Sequence, residues 1–158
     1  MTAMATREML ARALDWHDAH ADFEATVKNL PAPLRGKVPK GLPYSAWQLL
    51  EHLRIAQHDI LEFCVAREYH EMNWPDDYWP KSPAPPDGHA WDHSVAQVRK
   101  DIARLQSLAR DTSIDLDATV PNGNGQTYLR ELLLVIDHNA YHLGQLVLVR
   151  RTLAAWEG

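Results

Sequence analysis

Two histidines four residues apart, in Asp137-His138-Asn139-Ala140-Tyr141-His142, carry the sharpest chemical signal in the chain. On a helix of 3.6 residues per turn they lie one turn apart and about 40° from each other around the axis, the geometry in which two imidazoles share one metal ion. Two ligands do not make a site. A divalent ion needs a third protein ligand, and a catalytic ion keeps a further position open to water. The residue after His138 is Asn139, so the glutamate base of the His-Glu-x-x-His zinc proteases is missing. No Glu-x-x-His occurs anywhere, which excludes the paired motif of the ferritin-like di-iron bundles.

A third ligand has to come from another element. On the second helical segment His52 falls at the edge of the arc defined by Ala56 and Phe63, whereas His58 lies about 120° away, beside Arg54 and Glu62. His52 is therefore expected to point inward and His58 outward. Asp59, seven residues after His52, returns to within about 20° of the same line, which suits it to accept from the His52 ring or to act as a catalytic base beside a metal. His17 shares a face with Leu10, Leu14 and Ala21 and is a weaker candidate, while His70, His89 and His93 fall near helix ends or on polar faces. Three neutral imidazoles leave an ion its full charge and at least one open position, enough to bring a bound water toward a pKa of about 7 or to stabilise a thiolate. Tyr141 or Gln145 could supply a hydrogen bond there. The competing expectation is metal-free, with the same histidines hydrogen-bonded in a core.

These side chains need rods to hold them, and the prolines mark where the rods stop. All ten prolines fall at positions 31–43, 75–86 or 121. Because proline is poorly tolerated inside a helix, they leave four proline-free segments, about 5–29, 45–73, 88–110 and 127–156. In the third, Trp91, Val95, Val98, Ile102 and Leu105 form one buried stripe. The second opens with Ser45 and Gln48 at capping-box spacing and then carries Leu49, Leu53, Ala56, Ile60 and Phe63. The first is less regular, with Leu10, Leu14, Ala21, Phe23 and Val27. Turn chemistry at Pro121-Asn122-Gly123-Asn124-Gly125 puts the start of the fourth near Thr127, and Leu116 to Val120 reads as a short extended piece. The result is an all-α four-helix bundle with long connections, in which simple up-down-up-down order is not assured. The stretch 74–86 reads as a proline-stiffened loop anchored by Trp74, Tyr78 and Trp79, with a lid as the alternative.

At 158 residues the chain is one domain, 1–158, large enough to bury a real core. A net charge of −5 gives no basic footprint for nucleic acid or an anionic membrane. Hydrophobic residues at 46% and charged ones at 23% exclude wholesale disorder. No stretch is expected to approach the roughly 20 apolar residues of a membrane span, and residues 1–10 carry charges where a signal peptide needs an apolar run. Cys64, the single cysteine, cannot form an intramolecular disulfide and reads as a core thiol. A soluble, reducing, cytoplasmic setting is expected. On the fourth segment Leu129, Leu133, Ile136, Ala140, Leu143 and Val147 form an apolar stripe nearly opposite the histidines, which share their side with Val135, Leu146 and Val149. A helix apolar on two sides is covered on two sides. The stripe packs either on a second subunit, giving a homodimer through this helix, or within one bundle.

The segment Tyr44-Ser45-Ala46-Trp47-Gln48-Leu49-Leu50-Glu51-His52-Leu53, the mid-chain Asp77-Tyr78-Trp79-Pro80, and His138-Asn139-Ala140-Tyr141-His142-Leu143-Gly144-Gln145-Leu146 followed by Arg150-Arg151 together resemble the DinB/YfiT-like family of metal-dependent enzymes. The resemblance spans nearly the whole chain. It implies a four-helix bundle, commonly dimeric, with one divalent metal, often nickel or zinc, held by three histidines that by matching motif fall on His52, His138 and His142. It also implies a small-molecule substrate. Some relatives are thiol S-transferases or isomerases using mycothiol or bacillithiol, and others are described as hydrolases. The expectation that follows is a metal-dependent thiol S-transferase or hydrolase, with a low-molecular-weight thiol as an optional cofactor and no nucleic-acid or membrane partner. The alternative is a non-catalytic metal-binding or stress-response bundle.

Overall fold

The computed structural model describes residues 3–157; Met1, Thr2 and Gly158, the ends of the domain expected over 1–158, lie outside the described residues. Among the described residues there are six helices: α1 (Ala3–Ala13), α2 (Phe23–Val27), α3 (Ala32–Arg35), α4 (Ala46–Val65), α5 (Ala90–Arg110) and α6 (Tyr128–Thr152). The four long ones make the expected bundle, and α2 and α3 lie in its first connection. Among the described residues the only β-pairing is a single bridge between Thr119 and Thr127, which is as far as the extended piece at Leu116 to Val120 goes.

Local capping chemistry sets the starts of α2, α4 and α6. Ser45 and Gln48 form a reciprocal capping box at 3.1 Å in each direction, and α4 begins directly after it. Thr127 accepts from the Arg130 N–H at 3.2 Å and starts α6. The first expected helix is broken instead of continuous: α1 stops at Ala13, and Asp22 starts α2 afresh by accepting from the Ala25 N–H at 2.8 Å. The second ends at Val65, short of residue 73, because the Asn122 amide donates to the Phe63 and Ala66 carbonyls at 3.0 Å each and closes its last turn.

Cross-helix bonds give the direction of each rod. Glu51 meets Ser94, Gln57 meets Val98 and Glu62 meets Arg104, so α4 and α5 run parallel. His52 meets His142, Gln57 meets Asn139 and Leu61 shares a cluster with Leu132, while Arg7 meets Ala109 and Gln106 meets Ala11, so α6 and α1 run the other way. The long connection 66–89 is what allows two successive helices to be parallel.

Two apolar clusters fill the bundle. One joins α2 to the first halves of α4 and α5 and the second half of α6, through Phe23, Leu50, Leu53, Trp91, Val98 and Leu146. The other joins α1 to the remaining halves through Leu10, Leu61, Leu105 and Leu132. The whole third-segment stripe, Trp91, Val95, Val98, Ile102 and Leu105, is buried as expected. Arg150, 3% exposed, ties α6 to α2 by donating to the Thr26 carbonyl at 2.6 Å.

One expectation about α6 needs correction. At 25 residues it is, by length and composition, long and apolar enough to cross a membrane, contrary to the absence of any such stretch read from the sequence. Its apolarity is used in the bundle core, where Leu132, Val135, Leu143, Leu146 and Val149 are buried. In the stripe opposite the histidines Leu143 is buried, Leu129 and Ile136 are partly buried against the second cluster, and Leu133 is exposed. The large apolar residues of α6 that stay exposed are Leu133, Tyr141 and Leu148.

Candidate metal centre

Antiparallel packing of α4 on α6 brings His52 against His138 and His142. One ring nitrogen from each lies within 4.8 Å of those of the other two. His52 is 1% exposed, and its Nδ1 stands 2.9 Å from the Tyr78 carbonyl oxygen. A carbonyl only accepts, so Nδ1 carries the ring proton and Nε2 presents a lone pair toward α6. His142 has the same arrangement, with Nδ1 2.8 Å from Gln145 Oε1. His138 places Nε2 3.2 Å from His52 Nε2.

Aromatic rings hold the cluster from the loop side. Trp79 lies parallel to the His52 ring at 3.8 Å between centroids, and Tyr44 stacks on the other face of the indole at 4.2 Å. Burial lowers the pKa of all three histidines, most for His138 and His142, which fall to about 4 with help from the neighbouring imidazoles. They are therefore neutral near pH 7, the form that ligates a metal.

The donor set fits a divalent ion. Two imidazole nitrogens bound to one tetrahedral zinc at about 2.0–2.1 Å stand about 3.3 Å apart, close to the 3.2 Å between the two Nε2 atoms. Two bare lone pairs at that separation repel unless a proton or a cation lies between them. Outer hydrogen bonds that fix the ligand tautomer, here on His52 and His142, are the usual companions of a metal-binding histidine.

Asp59 is held differently from the direct His52 contact read from the helical wheel. Its carboxylate accepts from Tyr78 Oη at 2.6 Å and from Tyr69 Oη at 2.8 Å, and the acceptor on His52 is the Tyr78 main chain. Asp59 thus reaches the cluster through Tyr78. Burial and the carboxylate push both phenol pKa values well up, so the tyrosines stay protonated donors. His58 is 41% exposed and pairs through Nδ1 with the fully buried Asp101 of α5 at 2.9 Å. His17 lies outside any helix, exposed beside Asp18, and His70, His89 and His93 are exposed as well. Trp79 and Tyr78 anchor the 74–86 loop, but Trp74 does not: it is 70% exposed, 6.3 Å from the His52 ring.

The sequence model of the DinB superfamily matches residues 15–146. The chain belongs to the DinB superfamily. No curated protein and no solved structure matches it. In this DinB-superfamily chain the matched region takes in His52, Asp59, Tyr78, Trp79, His138, His142 and Gln145, the whole of the cluster and its immediate supports. Tyr78 and Trp79 belong to the Asp77-Tyr78-Trp79-Pro80 motif of the resemblance. Their part at the site is a main-chain oxygen and an indole face, which residue type alone does not announce.

Proposed function

We propose that this DinB-superfamily protein binds one divalent metal ion, zinc or nickel, through His52, His138 and His142, and is a metal-dependent enzyme on a small molecule, a thiol S-transferase or a hydrolase. The observation that carries this is the convergence of three neutral imidazole nitrogens within 4.8 Å from two different helices. When bound, a divalent ion with three neutral ligands supplies Lewis acidity, lowering the pKa of a water or thiol at its open position. The Tyr78 carbonyl and Gln145 Oε1 hold the Nδ1 protons and aim the Nε2 lone pairs. Trp79 covers one face of His52 and keeps water from it. Trp74, exposed beside the same ring, is placed to meet a substrate.

The chain supplies no thiol nucleophile of its own. Cys64 is 1% exposed and its thiol is pushed up to about 12, so an S-transferase reaction takes its sulfur from a low-molecular-weight thiol. The exposed α6 residues Leu133, Tyr141 and Leu148 support a homodimer through that helix, in a soluble protein of a reducing, cytoplasmic compartment.

Elemental analysis of the purified protein tests the site. The wild type is expected to hold one equivalent of zinc or nickel, and His52→Ala, His138→Ala and His142→Ala each to lose most of it. A full equivalent retained by all three variants would remove the site. With metal confirmed, turnover of electrophilic substrates with mycothiol, bacillithiol or glutathione separates transferase from hydrolase.

A further inference from the structure

The second ring nitrogen of a metal-binding histidine needs a partner, and two of the three have one on the page. His138 differs: its Nδ1 is buried with no hydrogen-bond partner among the described residues. The next residue, Asn139, is 6% exposed, and its Oδ1 is another buried polar atom without a partner. A ring N–H and an amide oxygen are complementary, and leaving both unpaired in a core is costly.

Asn139 cannot turn its oxygen elsewhere. Its Nδ2 donates to Gln57 Oε1 at 2.7 Å. Gln57 is fully buried, and its Nε2 donates to the Val98 carbonyl at 3.0 Å, an atom that only accepts. The order of donors is therefore forced from the α5 backbone through α4 to α6, and Asn139 Oδ1 is left over to accept. With His138 Nε2 directed at His52 Nε2, a ligating His138 carries its single proton on Nδ1.

Resting on the metal-site reading above, we infer that Asn139 is a positioning residue for His138: its Oδ1 takes the Nδ1 proton, directly or through one bridging water, and Gln57 holds Asn139 in that orientation from the Val98 carbonyl. All three ligands then have an outer acceptor, from a loop carbonyl for His52, a same-helix amide for His142 and this buried amide relay for His138.

The test uses the full chain, ¹⁵N-labelled and loaded with zinc, with long-range ¹H–¹⁵N spectra reporting which imidazole nitrogen bears the proton. His138 is expected to be protonated at Nδ1. Asn139→Leu, which keeps the volume and removes the acceptor, is expected to weaken zinc binding about 10- to 100-fold in competition with a chromogenic chelator. Asn139→Asp, which keeps an acceptor oxygen, is expected to retain the Nδ1 tautomer and fall between the two in affinity. Zinc-loaded wild type with the His138 proton on Nε2, or Asn139→Leu with wild-type affinity, overturns the relay. If Asn139→Leu does not fold, Asn139→Asp decides: zinc affinity below that of the wild type supports the relay, and unchanged affinity overturns it. No zinc uptake by the wild type is a separate result: it overturns the metal-site reading itself, and the relay with it.

Discussion

Cys64 sits 1% exposed in the cluster formed with Leu61, Leu105 and Leu132, and burial, with the Glu131 carboxylate adding to it, pushes its thiol from 9.0 to about 12. Between those values the unfolded chain has lost a proton that the folded protein keeps. Stability from this group is thus fully present below pH 9 and falls as the pH rises from 9 to 12. An aromatic disulfide reagent at pH 8 is expected to leave the folded protein unmodified and to titrate one thiol after denaturation. Rapid reaction of the folded protein would show that the thiol is accessible. Asp59 makes the second prediction at this scale, since its removal leaves the Tyr69 and Tyr78 hydroxyls without their acceptor and frees the loop that bonds His52. Asp59→Ala is expected to weaken zinc binding about 10-fold, while Tyr69→Phe, which removes only the contact remote from His52, costs less. The three histidines were legible in the sequence because residue type and helical period decide where an imidazole points. Tyr78 was not legible in its role, because it acts through a carbonyl that every residue has. Nor was Asn139, whose orientation depends on a glutamine and a backbone oxygen from two other helices.

Helix ends divide by whether their caps are local. The Ser45 box spans four residues, and so was readable, as was the Thr127 start after the Asn-Gly turns. The end of α4 was not, because Asn122 closes it from 59 and 56 residues away. The break after α1 was missed for a related reason: apolar residues at helical spacing continue past it, and the Asp22 side chain that restarts the backbone competes with them only locally. Ser45 carries the prediction here. Besides capping α4 it donates to the Pro83 carbonyl, tying the long connection to the helix that bears His52. Ser45→Ala is expected to cost about 1–2 kcal/mol, read as a lower midpoint in urea with the slope unchanged. An unaltered midpoint would mean that neither bond contributes measurably.

For the whole molecule, parallel α4 and α5 place the clamp residues Glu51, Gln57 and Glu62 in step with Ser94, Val98 and Arg104. α6 packs on α4 in the opposite sense, with its histidines on α4, and meets α2 and α1 beside it. One side of α6 then remains outside. Leu133 and Leu148 are 49% exposed and Tyr141 64%, and at 100° per residue they fall within an arc of about 80°. Scattered exposed leucines are ordinary on a soluble surface, but these three large apolar side chains share one side of α6, a strip interrupted by Asp137 and Gly144. A two-fold axis across it would set each strip against its own copy, the commonest way a small protein closes such a surface. Sedimentation of the wild type is expected to give a dimer, and the Leu133→Glu, Leu148→Glu double variant a monomer, because two carboxylates per subunit would be buried without partners. Both substituted positions lie away from the imidazoles around the helix, so zinc stoichiometry is expected to stay at one per chain in the monomer. A wild type that sediments as a monomer removes the dimer and leaves the metal centre untouched, since all three histidines come from one chain.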